Sequence, residues 1–117
     1  MTTSFLQNNN GAIKTYYGTG AGAIAETISP GDGYRLVSVC IHNGTAPTTV
    51  ANNVITFQPE VGSAYYTLLN TQGMAGVTDL VWQPSRDLFF AANDALNIAW
   101  ANADNVTYGL NVTFQNV

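Results

Sequence analysis

The stretch VTYGLNVTFQ, residues 106–115, decides the fold class. Val106, Tyr108, Leu110, Val112 and Phe114 fall on one face, and Thr107, Gly109, Asn111, Thr113 and Gln115 on the other. A period of two over ten residues predicts a long strand with one buried and one wet face. Just upstream, ALNIAWA (95–101) alternates in the same way, with Leu96, Ile98 and Trp100 on one side. The link Asn102-Ala103-Asp104-Asn105 has turn chemistry and a hairpin's length. It predicts antiparallel pairing of the two strands, with Leu96, Ile98, Trp100, Tyr108, Leu110, Val112 and Phe114 forming one core wall.

The same rule predicts further strands upstream. Tyr34 to His42 follows the turn Pro30-Gly31-Asp32-Gly33. Asn53 to Gln58 is ended by Pro59, and Val77 to Trp82 by Pro84. Tyr65 to Leu69, Leu88 to Ala92, Ile13 to Tyr17 and Ala23 to Ile28 complete the set. Seven or more short strands with regular turn punctuation predict an all-β, antiparallel β-sandwich or jelly-roll-like fold with little or no helix. The 117 residues suit one domain, 12–117, preceded by a flexible N-terminal arm, 1–11, whose Asn run and Gly11 oppose regular structure.

Charged residues make up 9% of the chain, against about 25% in a typical protein. Three cations cannot track a phosphate backbone, so nucleic-acid binding is not expected. No apolar run approaches the length of a membrane span, and no export signal precedes the chain, which is expected to be soluble and to start at or near Met1. Thirteen Asn and fourteen Thr supply polarity without charge. Two readings of such a surface stay open: a hydrated coat, or a surface that sits largely against partner subunits.

The chemical motifs are weak. Gly18, Gly20 and Ala23 match G-x-G-x-x-A, but at most nine residues separate the glycines from Pro30, too few for the helix that would hold a pyrophosphate. The run reads as a small-residue connector or a glycine-weakened edge strand. Cys40, the single cysteine, lies in the apolar run Leu36 to Ile41 and reads as a buried, inert thiol. Cys40 and His42 face the same way on a strand, but no other Cys or His completes a zinc site. His42 has no G-x-S-x-G partner. The carboxylates Asp32, Asp94 and Asp104 sit in turns, and Asn102, Asp104 and Asn105 lack the spacing of a calcium loop. No catalytic residue, metal or cofactor is expected. Trp82 and Trp100, which alternate with Leu80, Leu96 and Ile98, read as core residues.

From residue 34 onward the chain resembles the small virion structural proteins of tailed bacteriophages. The likeness lies in a strand ending Trp82-Gln83-Pro84, a Leu-x-Phe-type strand, the turn Asn93-Asp94-Ala95-Leu96 and a terminal hairpin. It implies a β-sandwich displayed on the virion, made in the host cytoplasm. The nearest role is a capsid decoration (cement) protein that binds the major capsid protein or other virion proteins, with a homo-oligomer (trimer) as the assembly it would form. The alternative is a receptor- or carbohydrate-binding module of a tail fibre or tailspike, which needs an exposed aromatic; Tyr16, Tyr17, Tyr65 and Tyr66 are candidates.

With so few charges, attachment to a partner is expected to rely on contact area. Phe5 and Leu6, apolar residues in a polar lead, together with Ile13, Tyr16 and Tyr17, are the expected partner-binding residues. A frayed first strand explains the same residues.

Overall fold

The computed structural model describes residues 11–117. Within these residues, nine strands form two antiparallel sheets packed face to face. They are β1 (Ile13–Gly20), β2 (Ile24–Ile28), β3 (Tyr34–Asn43), β4 (Asn52–Gln58), β5 (Thr67–Gly73), β6 (Asp79–Trp82), β7 (Phe89–Phe90), β8 (Ala95–Trp100) and β9 (Tyr108–Asn116). One sheet runs β1-β9-β3-β6, with the short β7 pairing the other end of β3 on the same side as β6. The second runs β2-β8-β4-β5. A single 3-10 turn, Ser63–Tyr65, is the helical element among the described residues.

The pairings are nested. β1 pairs with β9, β2 with β8, β3 with β6 and β7, and β4 with β5. The chain is thus one long nested hairpin, wound so that its first half alternates between the two sheets. The bridges β3·β9 and β4·β8 close each sheet.

This winding corrects the hairpin expected at residues 95–115. β8 and β9 lie in different sheets and do not pair. The turn Asn102–Asn105 does form, with Asn105 N–H donating to the Asn102 carbonyl at 3.0 Å, but it carries the chain over the end of the sandwich. Asn102 and Asn105 take left-handed φ values of 48° and 54°, which Asn tolerates better than most residues. The buried Asn102 amide donates to the carbonyls of Val106 (2.9 Å) and Gly22 (2.8 Å) and accepts from Val106 N–H (3.0 Å). It therefore ties the β8–β9 crossing to the β1–β2 crossing beside it. The seven expected core residues are all buried, but they line two facing walls. Leu96, Ile98 and Trp100 belong to the four-stranded sheet, and Tyr108, Leu110, Val112 and Phe114 to the five-stranded one.

Between the walls, Phe90 meets Phe57 and Phe114 edge-on, with centroids at 5.2 and 5.5 Å. Phe90 thus meets one ring of the facing sheet, Phe57, and one of its own, Phe114, each in a geometry favourable for aromatic quadrupoles. Three local expectations are also corrected. Tyr65 belongs to the 3-10 turn and β5 starts only at Thr67; the strand expected over Leu88 to Ala92 shortens to two residues; and Cys40 is half-buried on the outer face, not in the core. The glycine run is the end of edge strand β1, and a short bend leads from it straight into β2.

Candidate functional site

The outer face of the five-stranded sheet presents its side chains in cross-strand rows. The first is Ile13, Gln115, Arg35 and Phe89, from β1, β9, β3 and β7. Ile13 (59% exposed) and Phe89 (53%) bracket an Arg35–Gln115 hydrogen bond, and Asp87 lies 3.8 Å from Arg35. The second row is Thr15, Thr113 and Ser38, with the two threonine hydroxyls 3.3 Å apart. The third is Tyr17, Asn111, Cys40 and Val81. The fourth is Thr19, Gly109, His42 and Asp79, in which His42 Nδ1 and Asp79 Oδ1 are hydrogen-bonded at 2.7 Å.

Over the third and fourth rows the face sinks into a hollow of about 390 Å3, lined by Tyr17, Gly18, Thr19, His42, Gly109, Leu110 and Asn111. Tyr17 forms its rim, 76% exposed. A second, smaller cleft of about 210 Å3 lies where the sheet edges meet, between Leu69, Trp82 and residues 84–88. Further exposed apolar residues, Val61, Tyr65, Tyr66 and Leu68, lie in the β4–β5 connection and the start of β5.

The expected partner-binding residues divide between faces. Ile13 and Tyr17 share the outer face, four residues apart along β1. Tyr16 turns inward, packs on the core and donates to Glu26 at 2.6 Å. That hydrogen bond, with burial and the charge of Glu26 adding to it, holds the Tyr16 hydroxyl above its ordinary pKa. Phe5 and Leu6 lie outside the described residues. Gly11, placed in the arm by its sequence, donates its N–H to the Asn116 carbonyl at 2.7 Å.

Other side chains singled out in the sequence act as clamps. Asp104 accepts from Thr48 N–H (2.9 Å), Thr49 N–H (2.8 Å) and the Thr49 hydroxyl (2.7 Å). These bonds, led by those from Thr49, hold its carboxyl below the usual aspartate value. Asp94 accepts from Ala91 N–H and Glu60 N–H, at 2.9 and 3.0 Å. Among the described residues, no three His, Cys, Asp or Glu side chains cluster as a metal site, and no hydroxyl or thiol is hydrogen-bonded to His42. No helix among them is long and apolar enough to cross a membrane.

No family model matches the chain, and no curated protein is similar to it in sequence. Its fold is similar to solved structures. One is a chain from the acidic stable capsid structure of Helicobacter pylori bacteriophage KHP30, with a TM-score of 0.51 and 14% identity over 88% of this chain and 92% of that one. Others are the Yersinia pseudotuberculosis-derived mitogen (TM-score 0.41, 14% identity, 92% and 87% covered) and the lysozyme inhibitor PliG of Aeromonas hydrophila (0.39, 17%, 93% and 90%). These likenesses concern fold.

The hollow is not legible in the sequence: alternation places Gly109 on the wet face of its strand, and nothing local signals that Thr19 and His42 flank it.

Proposed function

We propose that this chain is a structural protein of a bacteriophage virion, and more narrowly a capsid decoration (cement) protein that binds the capsid surface and stabilises it. The observation that supports this reading is the likeness of nearly the whole sandwich to a chain of a phage capsid structure. Its partner is the major capsid protein or another virion protein, and its place is the virion surface. A homotrimer suits a protein that bridges capsomers. The role is non-enzymatic.

The row Ile13, Gln115, Arg35, Phe89 is the contact we assign to the capsid. Exposed Ile and Phe around an Arg whose fork is already held by Gln115 combine apolar area with an ordered polar centre. Aromatic and Arg residues are those enriched where interfaces are strongest.

Co-sedimentation of the purified chain with empty capsids, followed by electron microscopy of the decorated particle, tests the reading. The chain is expected in the pellet and as density on the outer shell. The double change Ile13→Ser, Phe89→Ser should weaken pelleting while leaving the fold intact. A chain that stays in the supernatant at every capsid concentration would sink the proposal.

A further inference from the structure

Gly109, the second residue of β9, pairs in regular register on both sides, so no bulge accounts for it. Its φ lies outside the left-handed region, and a Cβ built on it meets no atom within 4 Å. Neither conformation nor packing requires glycine, yet glycine inside a strand is destabilising relative to residues with side chains. A glycine in such a place is a mark of close approach by something outside the chain.

What surrounds Gly109 defines that something. Its cross-strand neighbours are Thr19 on one side and His42 on the other, with Tyr17 and Asn111 one row along. The strands flanking β9 lie two strand spacings apart, about 10 Å. Thr19 and His42 thus stand on either side of a floor position with no side chain, and the exposed Tyr17 stands one row along, beside Asn111. The walls carry polar groups in fixed poses. His42 is held at Nδ1 by Asp79, which leaves Nε2 free to bond outward. Thr19 donates its hydroxyl hydrogen to the Tyr108 carbonyl at 2.8 Å and so faces a ligand as an acceptor. Asn111 offers both a donor and an acceptor. No Lys or Arg lines the hollow, so it does not suit a phosphate or carboxylate. Its volume of about 390 Å3 is in the range of small-ligand clefts.

The geometry points to a binding site for a neutral pyranose. Tyr17 stacks on the C–H face of the sugar, and Asn111, Thr19 and His42 meet its hydroxyls. Such a site would let the displayed domain hold glycans, and it does not depend on the capsid reading. It lies at the opposite end of the sheet face from Ile13 and Phe89, so both contacts can be made at once.

The test is a titration of the isolated chain with glucose, galactose, mannose and N-acetylglucosamine, followed by amide chemical shifts. At least one sugar is expected to shift the amides of Thr19, Gly109 and Asn111 saturably, in the weak range usual for single sugars. Tyr17→Ala should abolish the shifts. Gly109→Thr should abolish them too, while keeping or raising the melting temperature, because the added side chain fills open space on a strand. Capsid co-sedimentation should be unchanged in both variants. Absence of saturable shifts with all four sugars would overturn the proposal. So would Gly109→Thr releasing the chain from capsids, since the hollow would then be a protein contact. Failure to pellet with capsids, with the sugar shifts intact, would sink only the capsid reading.

Discussion

Trp100 is 3% exposed and packs in the core with Ile24, its cross-strand partner, on the inner face of the four-stranded sheet. Removing a side chain of that size leaves a cavity that the paired strands cannot close. Trp100→Ala should cost about 3–5 kcal/mol in urea unfolding, and a loss under about 1 kcal/mol would mean that the ring is not part of the core. Asn53 presents the opposite case. It is fully buried in β4, and among the described residues neither its amide nitrogen nor its carbonyl oxygen has a hydrogen-bond partner. An unpaired buried amide carries a desolvation penalty that an apolar side chain of similar size avoids. Asn53→Leu should therefore raise stability by about 1 kcal/mol. A melting temperature below that of the wild type would show that the amide is paired in solution. The inward positions of Leu96, Ile98, Trp100 and Phe114 were legible from alternation, because burial along a strand follows a local period. The Asn53 site was not. Its wet or dry character depends on β8 and on the facing sheet, which no local pattern describes.

At the level of elements, three of the crossings between sheets, the β1–β2, β3–β4 and β8–β9 links, meet at one end. Asn102 joins the β8–β9 link to the β1–β2 link, and Asp104 joins it to Thr48 and Thr49 in the β3–β4 link. The Asp104 clamp is charge-dependent, and its sign can be worked out. The folded carboxyl titrates below the ordinary aspartate value of about 3.9. Between the two values the unfolded chain binds more protons, so stability falls as pH falls through that window. Above it the contribution is constant. The melting temperatures of wild type and Asp104→Asn should differ at neutral pH and converge as pH drops below the ordinary aspartate value. Equal melting temperatures throughout would mean that the clamp contributes nothing. These contacts also explain why the hairpin expected at 95–115 does not exist. The turn chemistry of Asn102-Ala103-Asp104-Asn105 serves a hairpin and a crossing equally well. The choice is made by partners about 80 and 55 residues away, Gly22 and Thr49. The same limit applies to the hollow. Alternation places Gly109, Tyr17 and His42 on wet faces, but only the pairing of three strands brings them together.

For the whole molecule, few charges mean weak long-range steering. The capsid binding proposed through the Ile13–Phe89 row should persist as salt is raised from about 0.1 M to about 1 M, over which the Debye length falls from about 10 Å to about 3 Å. A steep loss of pelleting over that range would assign attachment to ion pairs instead. The nested pairing has a further consequence, for how the chain is made. β9 lies between β1 and β3, so the five-stranded sheet has no centre until residues 108–116 have left the ribosome. Until then β1 and β3 have no neighbour in common, and their apolar faces wait in the unfolded chain. Because the sheet's main contacts join distant parts of the sequence, closing it is a slow step of high contact order. On the nascent chain, the five-stranded sheet therefore cannot close before β9 has emerged.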